Sequence, residues 1–521
     1  MTSHQSRTMV WPYEQFQKEV QSRLDESEIH DPAEAPVPPY YPDTPVIRKT
    51  LARYYDCITA MDKEVGAILA QLEEDGLAED TIVFFYSDHG SGMPRHKRCL
   101  YDSGMHVPLL IRFPEKWKHL APKQDDKQLA AGDVTDRLVS FVDFGPTVLS
   151  LAEVDIPDYM QGEPFLGEAE TKPREYVFGH RDRIDEVIDM SRSVRTKRYL
   201  YIRNYMPHLG WNQPSAWPDQ GEIRHEFYRL ADCKKMTDAQ WQFAGPTRPM
   251  EELYDCEKDP QNLLNIFEYD SDEVRTERSL LQSSLSGHMR DVFDLGHVPE
   301  IDQWELTLEW TPNSDVVRKS ATPYQWFHHN DLGGAKYGLI LTQQAERFPP
   351  VDDTTNLSNA KRLRHESSWV RYWAAINLAS KVHSKKERSL LLAALNDDIA
   401  SVRIAAAHAL ACHDEFDKAL PTLIDLVAHE DLTTALYAAR AIELLGDNAK
   451  AAIPAMQKTL ARAEKIRPPD TPATVVTSGD QDLAMFIGFS TRAFLKKVKQ
   501  ENEQKGAKGD QGGKANPTTS G

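Results

Sequence analysis

"TIVFFYSDHGSGMPRHKRCLYDSGMHVPLLIRF", residues 81–113, sets a polar, glycine-containing stretch between two apolar runs. The first run is short, β-branched and aromatic and ends in polar and glycine residues, which predicts a buried strand over Thr81–Ser87. A second strand is predicted from Val107 through "VPLLIRF". Upstream, Thr44 can cap a helix with Pro45 in its first position, and apolar residues recur at Leu51, Tyr54, Ile58, Met61, Val65, Ile68 and Leu72. Steps of three and four predict a long amphipathic helix that closes near Gly76. Helix, strand, loop and strand is α/β order. It hangs the charged loop from the carboxyl end of a strand, where open α/β sheets present their ligands.

Two readings of the loop follow. Asp88 and His89, side by side, can coordinate a divalent cation, and Lys97 with its neighbours Arg95, His96 and Arg98 can hold an anion against it. That chemistry suits cleavage of a sulfate or phosphate ester. The plainer reading is a solvated charged loop, the usual place for such residues.

Beyond the loop, "LVSFVDFGPTVLSLAEV" predicts a strand, a cap at Asp143 and a helix over 145–154. "YVFGHRD", "SRSVRTKRYLYIRN" and "EELYD" then predict a smaller antiparallel sheet with a hairpin turn near Thr196 and Lys197. Residues 205–250 and 285–355 lack lasting periodicity and read as connections. Farther on, "SWVRYWAAINLA" and "ASVRIAAAHALA" align Val370 with Val402 and Arg371 with Arg403, while "TALYAARAIELL" sets Ala438 and Ala439 under Ala406 and Ala407. Alanine-rich helices repeated at one fixed spacing predict a solenoid of stacked helix pairs, since a single pair cannot bury its apolar face alone.

Composition bounds the function. At 521 residues, 40% hydrophobic and 27% charged, the chain has room for two or three globular domains. A net charge of −19 argues against general affinity for nucleic acid. No apolar run approaches the ~18 residues that a membrane span needs, and "MTSHQSRTMVWPYEQFQKEV" lacks the apolar core of a signal peptide. Five scattered cysteines indicate neither a disulfide framework nor a zinc site.

Several blocks in order, "PDTPVIRKTLARYYDCITAMDKEVG", "TIVFFYSDHG", "KRCLYDSGMHVPLLIRFP" and "VSFVDFGPTVLSLAEVDIPDYMQGEPFL", resemble the sulfatase family of the alkaline phosphatase superfamily. "FGHRDRIDE", "RTKRYLYIRNYMPH" and "EELYDCEKDPQN" look like the C-terminal subdomain of its heparan N-sulfatase-like bacterial branch. The alanine-rich repeats resemble HEAT repeats. The resemblance implies a partial α/β sulfatase domain over 1–170, a small antiparallel C-terminal subdomain over 171–285, a linking region over 286–354 and an all-α HEAT-like solenoid over 355–465, and the composition of 497–521, poor in apolar residues, predicts a disordered tail.

The function so implied is hydrolysis of sulfate esters or N-sulfates on an aryl group or a sugar, with a sulfated small molecule or glycan as partner. A phosphatase or phosphonate hydrolase of the same superfamily is one alternative. Another is a non-enzymatic protein that binds a protein partner through its HEAT-like repeats. Carried over by position, the resemblance makes Asp88 and His89 ligands of a divalent cation, calcium by family expectation. Many relatives have Asn where this chain has His89, and the softer imidazole leaves manganese open. Lys97 matches the lysine on the sulfate and leaving-group oxygen, and His4 the histidine that acts as general acid. His96 and Arg98, with Arg95, would line the anion pocket, while His180, Arg181 and Arg183 would read sulfate or carboxylate groups on a sugar. Family relatives are commonly exported or periplasmic; the localisation of this chain stays open.

The family nucleophile is a formylglycine made from the first residue of Cys/Ser-x-Pro/Ala-x-Arg. None of the five cysteines heads that string, and the sulfatase-like region offers no serine in its place. The paired aspartates of the family's N-terminal metal site are not found either. The chain therefore reads as the C-terminal part of a sulfatase, truncated, split or decayed, and is expected to be inactive alone.

Overall fold

Thr44 and Pro45 start a long helix as predicted, the Thr44 hydroxyl accepting from the Ile47 amide at 3.4 Å. The computed structural model of the chain describes residues 11–124, 127–292, 294–303, 357–381, 384–471 and 479–511. It divides into two compact units, Met1–Arg181 with Met190–Gly287, and Asp182–Asp189 with His288–Gly521.

In the first unit, α1 (Tyr13–Glu19) precedes the long helix α2 (Pro45–Glu74). The buried residues of α2 end at Ala60; farther along, Ile68 is 55% exposed. β1 (Val83–Tyr86), the short helix α3 (Asp102–Met105) and β2 (Leu109–Arg112) follow, with β1 and β2 antiparallel from Val83 opposite Arg112 to Tyr86 opposite Leu109. The buried strand predicted over 81–87 is corrected here. Its phenylalanines, Phe84 and Phe85, are half-buried, because among the described residues β1 pairs with β2 alone. A small ladder joins β3 (Lys123–Gln124) to β4 (Lys127–Gln128).

The strand predicted ahead of Asp143 is also absent. Phe141–Asp143 is a 3₁₀ turn leading into α4 (Phe144–Leu151), because the Asp143 carboxylate closes a capping box with Ser140 and takes both Arg174 nitrogens at 2.5 and 2.9 Å.

The predicted antiparallel sheet is present: β5 (Val177–Arg181), β6 (Ser191–Arg195), β7 (Tyr199–Asn204) and β8 (Glu251–Asp255), in that order. Thr196 sets the β6–β7 turn, its hydroxyl accepting from the amides of Arg198 and Tyr199. Leu200 and Ile202 face a core shared with Tyr101, Trp211, Ile223, Phe227 and Tyr254. On the opposite face Tyr201 stacks on Phe267, and the Tyr199 hydroxyl donates to Glu273. The stretch read as a connection over 205–250 instead holds α5 (Glu222–Asp232) and α6 (Asp238–Ala244), whose Ile223, Phe227 and Phe243 enter that core. A capping box between Thr237 and Gln240 starts α6. α7 (Asp272–Asp291) follows, running past the boundary expected at 285.

The second unit is helical: α8 (Asn359–Arg362), α9 (Ser368–Ala379), α10 (Lys385–Ala394), α11 (Ala400–Ala411), α12 (Phe416–Val427), α13 (Leu432–Leu445), α14 (Ile453–Ile466) and α15 (Gly479–Gln511). The residues that align in sequence share one role. Ala406, Ala407, Ala438 and Ala439 are all 0% exposed, and their small side chains let neighbouring helices approach closely. Arg371 closes its repeat by donating to both Asp397 oxygens at 2.8 and 2.9 Å. α15 packs Leu483, Ala484 and Ile487 against Leu432, Leu436 and Ala463. Its helix continues beyond Lys497, where composition predicted a disordered tail, because Phe494 and Val498 carry the buried stripe onward. Residues 304–354 of the expected linking region and 512–521 of the expected tail lie outside the described residues. Among the described residues no helix is long and apolar enough to cross a membrane.

Candidate active site

The loop between β1 and β2 closes on itself at two glycines. The Gly90 amide donates to the Gly104 carbonyl at 2.9 Å, and a Cβ at Gly90 would lie 2.1 Å from the Ser103 carbonyl oxygen. A Cβ at Gly104 would meet the His96 and Cys99 carbonyls at 2.3 Å, so neither position admits a side chain without moving the backbone.

Inside this closure Arg95 and Arg98 adopt φ of 66° and 74°, a left-handed conformation that costs a residue with a Cβ about 1 kcal/mol or more. Packing on the Arg95 side holds the turn in place. Its guanidinium lies between the rings of Tyr40 and Tyr101, 4.5 and 4.0 Å from their centroids. It donates to Gln242 Oε1 and the Gln261 carbonyl at 3.0 Å and to the Asn262 carbonyl at 2.7 Å. Arg95 is therefore a buried strut rather than an anion-pocket cation.

His96 is also held inside the loop. The Ser91 hydroxyl meets its Nδ1 at 2.6 Å and the Tyr40 hydroxyl its Nε2 at 3.0 Å, while the ring stacks on Tyr41. Burial, and then the neighbouring Arg95 charge, holds its pKa down to about 4, so it is neutral at physiological pH with both nitrogens engaged. It cannot serve as a cation for sulfate there.

Lys97 sits between these two arginines with its amide on the Ser91 carbonyl at 3.0 Å and its side chain exposed. Among the described residues no carboxylate pairs with its ammonium. Arg98 donates to the Ser215 hydroxyl at 3.3 Å, and its carbonyl accepts from Arg181, whose guanidinium lies 5.1 Å from the Trp211 ring centroid. Arg181 is buried and its neighbour His180 is exposed. Arg181 and the Arg98 backbone are thus brought together. Arg183 falls in the second unit, where it forms a bidentate pair with Glu300. His4 lies outside the described residues.

Asp88 and His89 follow β1 as adjacent donors, with Asp88 Oδ2 3.4 Å from His89 Nε2. His89 Nδ1 lies 2.5 Å from the Gly90 carbonyl, an acceptor that assigns the ring proton to Nδ1 and leaves the Nε2 lone pair for a metal. Among the described residues no group of three or more His, Cys, Asp or Glu is arranged to hold a metal ion. Two donors fall short of the six to eight oxygens that calcium takes, so the described residues do not make a complete metal site.

Residues 1–154 match the sulfatase family, and residues 94–290 match the family described as N-sulphoglucosamine sulphohydrolase, C-terminal. Between them the two matches make residues 1–290 similar to the sulfatase family. Residues 358–443 match HEAT repeats. An ulvan-active sulfatase of Formosa agariphila is 42% identical to this chain over 247 residues, 47% of this chain and 39% of that protein. N-sulphoglucosamine sulphohydrolase of Homo sapiens is 27% identical over 271 residues, covering 46% of this chain and 48% of that protein. The chain thus spans less than half the length of these two relatives. A solved structure in complex with D-glucosamine-2-N,6-O-disulfate is 20% identical with a TM-score of 0.31, covering 48% of this chain and 42% of that chain.

Sulfatases use a metal ion and a formylglycine. The nucleophile string does occur once in this sequence, as Ser358-Asn359-Ala360-Lys361-Arg362, but in the HEAT region and not the sulfatase region. There Ser358 starts helix α8 and Arg362 is 2% exposed, a repeat's helix start and not a site residue. Sequence reasoning missed Tyr40, Gln242 and Asn262, the groups that fix the loop. The aromatic pair in "PPYYPD" was the one available signal.

Proposed function

We propose that this chain binds the sulfate group of a sulfated sugar at Lys97 and contributes the charge-stabilising side of sulfate ester or N-sulfate hydrolysis. One observation carries the reading: the loop immobilises Arg95 and neutralises His96 while presenting Lys97 exposed and without an ion pair among the described residues. An ammonium held there stabilises negative charge that develops on sulfate and leaving-group oxygens as the S–O or S–N bond breaks. A divalent ion, when bound at Asp88 and His89, would add charge neutralisation on the same group. Calcium is the ion proposed, with manganese the choice that the His89 nitrogen favours. The name of the relative N-sulphoglucosamine sulphohydrolase supports a sugar over an aryl sulfate. A protein partner on the HEAT repeats is proposed on their architecture alone.

Calorimetric titration of the 521-residue chain with N-sulfated glucosamine tests this. Lys97→Ala should weaken binding about tenfold or more, the scale of a lost charge-assisted contact, and Lys97→Arg should keep part of it. Equal affinity in the parent chain and Lys97→Ala would remove Lys97 from the site.

A further inference from the structure

α2 carries a cation where its packing calls for an apolar residue. Arg53, Cys57 and Ala60, at steps of four and three, lie on the buried side of α2, and Cys57 and Ala60 close a cluster there with Phe16 and Val20. Arg53 is 8% exposed. Its guanidinium sits against two rings from α1, 4.8 Å from the Tyr13 centroid and 5.3 Å from that of Phe16.

Those rings attract the charge, but they do not replace hydrogen-bond acceptors. Among the described residues no carboxylate, hydroxyl or carbonyl accepts from the Arg53 guanidinium, and its Nε is sealed from solvent without a partner. Glu222 of α5, the carboxylate that feels this charge, is already held by the Lys49 ammonium at 2.5 Å. Arg95 has both kinds of contact, two rings together with Gln242 and two carbonyls. Arg53 has the rings alone.

A buried guanidinium without an acceptor is held at a cost that a counter-ion removes. With Nε sealed, Nη1 and Nη2 are the nitrogens left to face the opening beside Tyr13, which is 50% exposed. Two coplanar donors beside aromatic rings match a flat, two-oxygen anion in shape as well as in charge. We propose that Arg53 forms the floor of a carboxylate-binding site between α1 and α2. Nη1 and Nη2 would each donate to one carboxylate oxygen, and Tyr13 would flank the ligand. The site uses no residue of the Lys97 loop and does not depend on the sulfate reading.

Amide exchange along α1 tests this on the full chain, with sodium acetate as the probe and chloride making up a constant ionic strength. Acetate should slow α1 exchange in the parent saturably, by about tenfold at ten times its half-saturating concentration, the ratio that one-site linkage gives. Sulfate should slow it less. Arg53→Met keeps the bulk beside the rings and removes the charge, so its α1 should exchange no faster than the parent's in chloride and should not respond to acetate. Lys97→Ala should respond to acetate like the parent, which separates this site from the sulfate site. Arg53→Lys keeps a charge without the paired donors and should respond more weakly than the parent; it decides the matter if Arg53→Met loses α1 altogether. An acetate response that survives in Arg53→Met, or is undiminished in Arg53→Lys, overturns the site. So does a parent that acetate leaves unchanged or that sulfate protects more strongly.

Discussion

In the β5–β8 sheet, Val194, Leu200, Ile202 and Leu253 are at most 2% exposed; in the β1–β2 ladder, Tyr86 and Leu110 are 47% and 58% exposed. The ladder, VFFY and LLIR, is if anything more apolar than sheet strands such as SRSVR and EELYD, so strand propensity does not account for the difference. Their neighbours do. The sheet has helices α2 and α5 contributing to the core on one face and Phe267 and α7 groups on the other, whereas among the described residues β1 pairs with β2 and meets the partly exposed rings of Phe141 and Phe144 at Tyr86. The difference bears directly on the site. Its loop leaves β1 in sequence but is held from the sheet side: Tyr101 donates to Glu252 of β8 at 2.9 Å, Asp102 pairs with Arg195 of β6 at 3.1 Å, and Arg181 of β5 donates to the Arg98 carbonyl.

The largest effect should mark that contrast. Phe227→Ala, at a residue 0% exposed in the sheet's core, should destabilise the first unit by about 3–5 kcal/mol, and Phe85→Ala in the ladder by about 1–2 kcal/mol, in proportion to the surface each buries. Two units make a single unfolding midpoint ambiguous, so amide exchange protection along β7 is the measurement to use. Equal losses would show that the ladder is as much part of the core as the sheet.

Arg95→Met comes next. It keeps the side chain's bulk between Tyr40 and Tyr101 but takes the Arg95 donor from the Gln261 carbonyl and leaves the Asn262 carbonyl to Gln242 alone, a cost of about 1–3 kcal/mol. Because the strut positions the turn that carries Lys97, sulfate binding should fall even though Lys97 is intact. Tyr86→Ala, on the strand from which the loop departs, should leave that binding unchanged. Loss of binding in Tyr86→Ala alone would mean that β1 positions the site after all.

What the sequence made legible follows from the same physics. Periodicity located α2, the four strands of the sheet, the Thr196 turn and the aligned alanines of the repeats, because each is a local pattern buried on a regular face. It missed α5, where Ile223, Phe227 and Leu230 do recur at helical spacing but Arg224 and Glu226 are buried among them and blur the face. It assigned a strand before Asp143 from apolar content alone, although among the described residues no partner strand lies beside it. In the site, the run Arg95-His96-Lys97-Arg98 reads as four similar cations. Only tertiary contacts show that one is a strut, one is neutral, one braces two other segments and one faces solvent.

The neutral one gives the comparison a pH dependence. His96 titrates at about 4 in the fold against an ordinary 6.5, so the unfolded chain takes up the proton first. Its contribution is complete above pH ~6.5 and is lost as pH falls toward about 4, by up to roughly 2–3 kcal/mol. His408 in the second unit is also held down to about 4, by burial and then by Arg440, so that unit should weaken over the same window. His96→Gln should flatten the pH dependence of exchange in the first unit, after correction for intrinsic rates, and leave that of α11 and α13 unchanged. A pH slope in the first unit that survives His96→Gln would assign the titration to another group.

The smallest effect on stability should come from Lys97. Its side chain is exposed and meets no carboxylate among the described residues, and the turn that carries it is fixed by Arg95, Ser91 and the two glycines, not by its ammonium. Lys97→Ala should therefore change the stability of the first unit by no more than about 0.5 kcal/mol, the usual range for a surface position. The same substitution is the one expected to abolish the response to sulfate. Thermal melts of the parent and Lys97→Ala, each with and without N-sulfated glucosamine, measure both quantities in one experiment. The melts should coincide without ligand, and only the parent should be raised by it, by an amount set by ligand concentration over Kd. Raising the ionic strength should shrink that shift if an exposed ammonium is the contact. A destabilisation above about 1 kcal/mol without ligand would instead mean that the fold itself employs the Lys97 charge, making it a structural cation like its neighbour Arg95.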